Sequence, residues 1–163
     1  MLSTIERIIF LKQVSFFQSM SVDELGILAA VCEERFVEQD TQIIRQNDAG
    51  GTLFVIVNGK VGIEYEKSSS SVARVATLGA NAYFGEVSLF DTGIYGTSAV
   101  TIRDTLLLCL DREPLVALVW QYPDIAIALI NVISQRLREA NDRITELTRS
   151  RPSQLASLYE QFE

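Results

Sequence analysis

The sequence predicts a mainly β fold with flanking helices, and three observations carry that expectation. Between about Arg35 and Asp111, short β-rich runs recur with turn chemistry between them. Ahead of that region, two S-x-x-E segments mark helix starts. Behind it, a stretch opened by proline repeats apolar residues at helical spacing. The chain has 163 residues, of which 48% are apolar and 21% charged, enough to bury a core without disulfide or metal support.

The elements follow in order. Ser3-Thr4-Ile5-Glu6 and Ser21-Val22-Asp23-Glu24 each have the form of a capping box, in which serine and glutamate satisfy free N–H groups of the first turn. The first opens a helix carrying Ile5, Ile8, Ile9 and Lys12. The second sets Leu25, Leu28, Ala29 and Cys32 along one face. Phe16-Phe17 in the link is a hydrophobic anchor. Glu33-Glu34 reads as a solvated helix end.

The β-rich runs are Gln42–Arg45, Leu53–Val57, Lys60–Glu66, Val72–Leu78, Thr97–Arg103 and Thr105–Leu110. Asn47-Asp48-Ala49-Gly50-Gly51, Asn58-Gly59, the serines 68–71 and Gly79-Ala80-Asn81 separate them. Asn-Gly between two apolar runs is a strong hairpin signal, and the serines read as a hairpin tip. Short strands without intervening helices imply an antiparallel sandwich or barrel. Gln39-Asp40, Asn47 and Asn81 mark turn positions, and where such a turn needs left-handed backbone, Asn and Asp tolerate it better than other non-glycine residues.

Asp111-Arg112-Glu113-Pro114 then starts a short helix, with proline where first-turn N–H groups have no helical partner. Pro123-Asp124 starts a long one that ends near Arg149, before Arg151-Pro152-Ser153 and a weakly amphipathic tail from Leu155 to Phe162. Within the long helix, Ala126, Ile130, Ile133, Leu137, Ala140, Ile144 and Leu147 are spaced 4-3-4-3-4-3, a coiled-coil seam. Ile125, Leu129 and Val132 form a second stripe. One stripe serves the chain's own core and the other a second copy, which predicts a homodimer; a single wide face packed within the monomer is the plainer alternative.

Net charge is −7, which disfavours phosphate backbones and anionic membranes, so neither a nucleic-acid nor a membrane partner is expected. The absence of histidine removes His triads, His metal sites and the usual proton shuttle, and no Walker loop or nucleophile elbow appears, so no enzyme and no metal site is expected. Cys32 and Cys109 have no CxxC spacing and read as reduced core residues. No apolar run approaches a membrane span and the N-terminus lacks a signal-peptide pattern, so the expectation is a soluble, cytoplasmic protein.

One stretch looks built for a ligand: it runs from Leu78-Gly79 through Tyr83 and Phe84-Gly85-Glu86-Val87-Ser88-Leu89-Phe90, and continues from Asp91 through Ile94-Tyr95-Gly96-Thr97-Ser98 to Val100. A glycine precedes a short helix-like turn whose first N–H groups suit an oxyanion, and a glutamate at its mouth suits sugar hydroxyls. The same residues also read as a plain strand-to-strand turn with Glu86 capping a helix.

This F-G-E segment resembles the cyclic-nucleotide-binding domain, the family of the catabolite activator and of protein kinase A regulatory subunits. Phe16-Phe17, Leu53–Val57 followed by Asn58-Gly59-Lys60-Val61, and Leu78-Gly79 agree with it, so the resemblance spans about Phe16 to Ile144. It implies an eight-stranded antiparallel jelly-roll (double-stranded β-helix) with N-terminal helices and a long C-terminal helix. The implied division is an N-terminal helix at 1–14, a domain at 15–149 whose helix 123–149 dimerises, and a tail at 150–163. It also implies a cyclic nucleotide, cAMP or cGMP, as ligand, with no other cofactor.

In that family the glutamate holds the ribose 2′-hydroxyl, and an arginine about ten residues later pairs with the cyclic phosphate beside small residues. Glu86, Thr97 and Ser98 match. The arginine does not: its place falls to Gly96 or Tyr95, and no Lys or Arg occurs from Val87 to Ile102. The implied ligand residues are therefore Phe84, Gly85, Glu86, Val87, Ser88, Tyr95, Gly96, Thr97 and Ser98, with weak or no binding of cAMP or cGMP. The alternative is a ligand-independent dimerising scaffold, or a fragment of a larger signalling, transport or transcription-regulator protein.

Overall fold

The computed structural model describes residues 1–68, 71–91 and 93–150. The tip of the serine run and, from residue 151 on, the tail expected at 150–163 lie outside the described residues.

Helices α1 (Thr4–Gln13) and α2 (Val22–Val31) both start with complete capping boxes, Ser3 with Glu6 and Ser21 with Glu24. Each serine hydroxyl accepts from the glutamate's N–H, and each glutamate carboxylate accepts from the serine's N–H. Phe16 and Phe17 are buried in a 3-10 turn between them.

Six antiparallel strands follow among the described residues: β1 (Glu33–Val37), β2 (Gln42–Ile44), β3 (Thr52–Ser68), β4 (Ser71–Leu78), β5 (Tyr83–Phe84) and β6 (Ser98–Asp111). Their order is β1-β6-β3-β4, with β2 also on β6 and β5 on β3. Three further helices occur among the described residues: α3 (Glu86–Phe90) between β5 and β6, then α4 (Arg112–Gln121) and α5 (Pro123–Ser150). The mainly antiparallel fold with flanking helices agrees with expectation, but the strand count is six and not eight.

The difference has a physical cause. Asn58-Gly59 is not a hairpin turn: it is a bulged bend inside β3, so Leu53–Val57 and Lys60–Glu66 are one strand. The two runs on either side of Asp104 are likewise one strand, β6. The local signal was sound as a request for left-handed backbone, since Gly59 has φ 116°. What it lacked was the partner strand, which continues past the bend. Glu33-Glu34 is not a solvated helix end. These residues open β1, and Glu34 accepts from Arg7 Nη2 at 3.0 Å and from the Leu2 N–H at 2.7 Å. Asp40, Asn47 and Asn81 have φ of 58°, 72° and 66°, as the turn reading expects.

Side chains alternate across the sheet. On β3, Leu53 and Val55 point into a core shared with all the long helices, while Phe54 and Ile56 point into the interior enclosed by the strands. On β6, Leu108 and Leu110 join the first core; Leu107 and Cys109 join the second. Burial on both faces explains the continuous apolar runs in the sequence. Cys32 and Cys109 sit in different cores and are free thiols. Burial pushes Cys32 up to about 12 and Cys109 up to about 11, so both stay neutral and unreactive at ordinary pH.

On α5, Ile125, Ala128, Leu129 and Val132 are buried, whereas the seam residues Ile130, Ile133, Leu137, Ile144 and Leu147 are 41–61% exposed. Ala140 is exposed too, and every residue from 137 to 149 is exposed. The plainer expectation of one wide face packed within the monomer does not hold. Among the described residues, no helix is long and apolar enough to cross a membrane.

The bend in β3 gives a direct test. A Cβ at Gly59 would lie 2.3 Å from Thr105 Oγ1 and 2.6 Å from Thr105 Cα. Gly59→Ala therefore combines a positive φ with a backbone clash, and we expect urea unfolding to show a loss of about 2–4 kcal/mol. A change below about 0.5 kcal/mol would contradict this account of the bend.

Candidate functional site

The loop around α3 is placed by backbone contacts. Gly85 caps α3 with φ 82°, and a Cβ there would come within 2.5 Å of the Thr52 carbonyl oxygen, so glycine is required. The Ser88 hydroxyl donates to the Gly85 carbonyl at 3.0 Å. After α3, the chain pairs with the turn at residues 47–50: Asn47 N–H donates to the Tyr95 carbonyl, Tyr95 N–H to the Asp48 carbonyl, and Gly50 N–H to the Gly93 carbonyl. Asp91 Oδ1 accepts from the Gly93 N–H at 2.8 Å and tightens the turn.

Arg112, the first residue of α4, holds the far end of α3. Its guanidinium donates to the carbonyls of Leu89, Ser88 and Asp91. These carbonyls have no further helical turn to bond to, so the arginine supplies the missing donors.

The result is a cavity of about 430 Å³ beside the strand-enclosed core. Its walls include Phe84, Gly85, Glu86, Val87, Ser88, Tyr95, Gly96 and Thr97 from the sequence-derived set. Ser98 is not brought to it: that side chain is buried, and its hydroxyl accepts from the Gln46 N–H at 2.9 Å. Leu78, Tyr83 and Ile94 of the ligand-like stretch also line it, whereas the apolar walls Ile44 and Ile63 were not singled out in the sequence. Those two come from β2 and β3, and no local pattern joins them to the stretch.

Tyr95 and Gly96 differ in the space around them. Tyr95 turns into the core, and its hydroxyl meets the Thr52 backbone, accepting from N–H at 3.3 Å and facing the carbonyl at 3.4 Å. A Cβ at Gly96 would meet nothing within 4 Å. Gly96, and not Tyr95, is where a longer side chain has room.

Glu86 has a partner that the sequence reading missed. Arg136 of α5 places Nη1 3.4 Å from Glu86 Oε1. The guanidinium carbon also lies 4.8 Å from the Tyr83 ring centre and 5.6 Å from that of Phe16. Burial raises the Tyr83 phenol above its ordinary value despite the nearby guanidinium, so it remains neutral. The signal was present in the pattern: the inward stripe Ile125, Leu129, Val132 continues by the same spacing to Arg136. A charge on an inward stripe needs a partner.

Comparison with known proteins agrees with this geometry. The cyclic nucleotide-binding domain profile matches residues 34–122. The chain is 33% identical over 131 residues, 80% of its length, to the cyclic AMP receptor protein of Thermus thermophilus. It is 26% identical over 137 residues to a CRP-like cAMP-activated global transcriptional regulator of Mycobacterium tuberculosis. In both, the match spans 61% of the relative's length. Among solved structures, the N-terminal domain of a transcriptional regulator from Streptomyces coelicolor A3(2) superposes with a TM-score of 0.75 at 26% identity, over 82% of this chain and 95% of that one. The catabolite activator protein of Thermus thermophilus gives 0.66 at 32% identity, over 82% and 63%. The chain belongs to the cyclic nucleotide-binding domain family.

Proposed function

We propose that the chain is a regulatory module of the cyclic-nucleotide-sensing type that binds cAMP and cGMP weakly and pairs with a second copy through α5. The observation that carries the first part is the cradle itself: Glu86 stands at the mouth of the cavity, and the space beside Thr97 that suits a phosphate-pairing cation belongs to Gly96. A charge-assisted bond to a sequestered phosphate is worth about 1.5–3 kcal/mol, so its absence weakens binding by roughly one to two decades. Relatives that are cyclic-nucleotide-responsive regulators support a regulatory role.

The pairing rests on α5. Three heptads of apolar residues face outward, and the last thirteen residues before Ser150 are exposed. An isolated helix that long is marginal in water, whereas a matching seam from a second copy covers the stripe. A second reading, a ligand-independent dimerising scaffold, is favoured by one observation: Glu86, the acid of the cradle, is paired with Arg136 of the chain's own α5.

Two experiments test these readings. Calorimetric titration should show cAMP and cGMP binding more weakly than about 1 μM, and Gly96→Arg should tighten it by roughly ten- to a hundredfold. Submicromolar binding by the unaltered chain contradicts the weak-affinity reading. Light scattering should give a dimer that Leu137→Asp with Ile144→Asp converts to a monomer; an unaltered chain that is already monomeric contradicts the seam.

A further inference from the structure

We infer that this cavity selects an uncharged, diol-bearing ligand of the nucleoside class over a cyclic phosphate. The inference rests on the proposed cyclic-nucleotide-type cradle and goes further by assigning the ligand's charge.

Positive charge is scarce around the cradle. From Val87 to Ile102 the sequence has no Lys or Arg. Two arginines approach the cradle from elsewhere, and both are committed. Arg112 spends its guanidinium on three carbonyls at the end of α3. Arg136 is paired with Glu86 and flanked by two aromatic rings. α3 has only five residues, so its aligned peptides make a small dipole. Asp91, one residue past α3, adds negative charge. A phosphate anion entering here loses water and meets no free counter-charge.

An uncharged ligand meets no such penalty. Glu86 keeps its carboxylate at the mouth: Oε1 accepts from Arg136, and Oε2 accepts no hydrogen bond among the described residues. A carboxylate oxygen with free lone pairs is the acceptor that vicinal hydroxyls need. Thr97 adds a hydroxyl to the same wall. Ile63, Leu78 and Val87 offer apolar surface for a flat heterocycle. The volume, about 430 Å³, falls within the range of small-molecule sites, about 300–1,000 Å³.

The test uses the unaltered full chain and calorimetric titration with adenosine, guanosine, cAMP, cGMP and 2′-deoxyadenosine at one fixed salt concentration. We expect adenosine or guanosine to bind at least about tenfold more tightly than its own cyclic phosphate, because the phosphate enters without its counter-charge. With adenosine as the better ligand, loss of the 2′-hydroxyl should cost about tenfold. Gly96→Arg should reverse the order between nucleoside and cyclic nucleotide. Cyclic nucleotides binding as tightly as the nucleosides, or more tightly, overturn the inference. Neither nucleoside binding at millimolar concentration also overturns it, while the weak-affinity reading of the cyclic nucleotides stands on its own titration.

Discussion

The antiparallel pairing of β3 with β6 runs from Thr52 opposite Asp111 to Glu64 opposite Ser98, and it decides what each side of the molecule contains. Along both strands, alternate side chains go to the helical core and to the strand-enclosed interior. The bend at Asn58-Gly59 lets the pairing continue while the strand changes direction, with Thr105 filling the space that a side chain at 59 would need. β5 attaches to the same strand through Phe54 opposite Phe84, and so Gly85, α3 and the cradle loop are set at its edge. A change in β3 is therefore felt at the site through one strand and one stacked pair of rings, Phe54 on Phe84, 5.0 Å apart.

α5 combines two roles on one rigid element. Its inner stripe packs on the helical core and ends at Arg136, whose guanidinium reaches Glu86. Its outer stripe is the heptad seam, with Ile133 and Leu137 on either side of Arg136 in sequence. A ligand that draws Glu86 away from Arg136 changes a contact made by the same helix that presents the seam. The pair is partly shielded, with side-chain exposures of 37% for Arg136 and 26% for Glu86, so its worth in stability is modest, and the rings of Tyr83 and Phe16 help to hold the guanidinium in place.

Much of this was legible in the sequence because the signals were local. Capping boxes, left-handed Asn and Asp, the Gly85 cap and the two stripes of α5 each depend on a few neighbouring residues. The errors share one cause, a partner distant in the chain. Asn58-Gly59 satisfies the same local rule in a hairpin and in a bulge, and only β6 distinguishes them. Glu34 looks solvated until Arg7 arrives from α1, 27 residues earlier. Tyr83–Phe84 is a strand of two residues, too short for any periodicity to show. The choice between Tyr95 and Gly96 turned on the Thr52 backbone, which binds the tyrosine and leaves the glycine facing open space.

The central claim is that the cradle has kept its sugar-binding acid while its nearby guanidinium groups serve the fold. A high-resolution crystal structure of the unaltered chain, soaked in millimolar cAMP, tests this most directly. The account predicts that Arg136 stays on Glu86 and Arg112 on the carbonyls of α3, with any bound phosphate beyond about 3.5 Å of every guanidinium. Either arginine turned onto the phosphate at about 2.8 Å would contradict it.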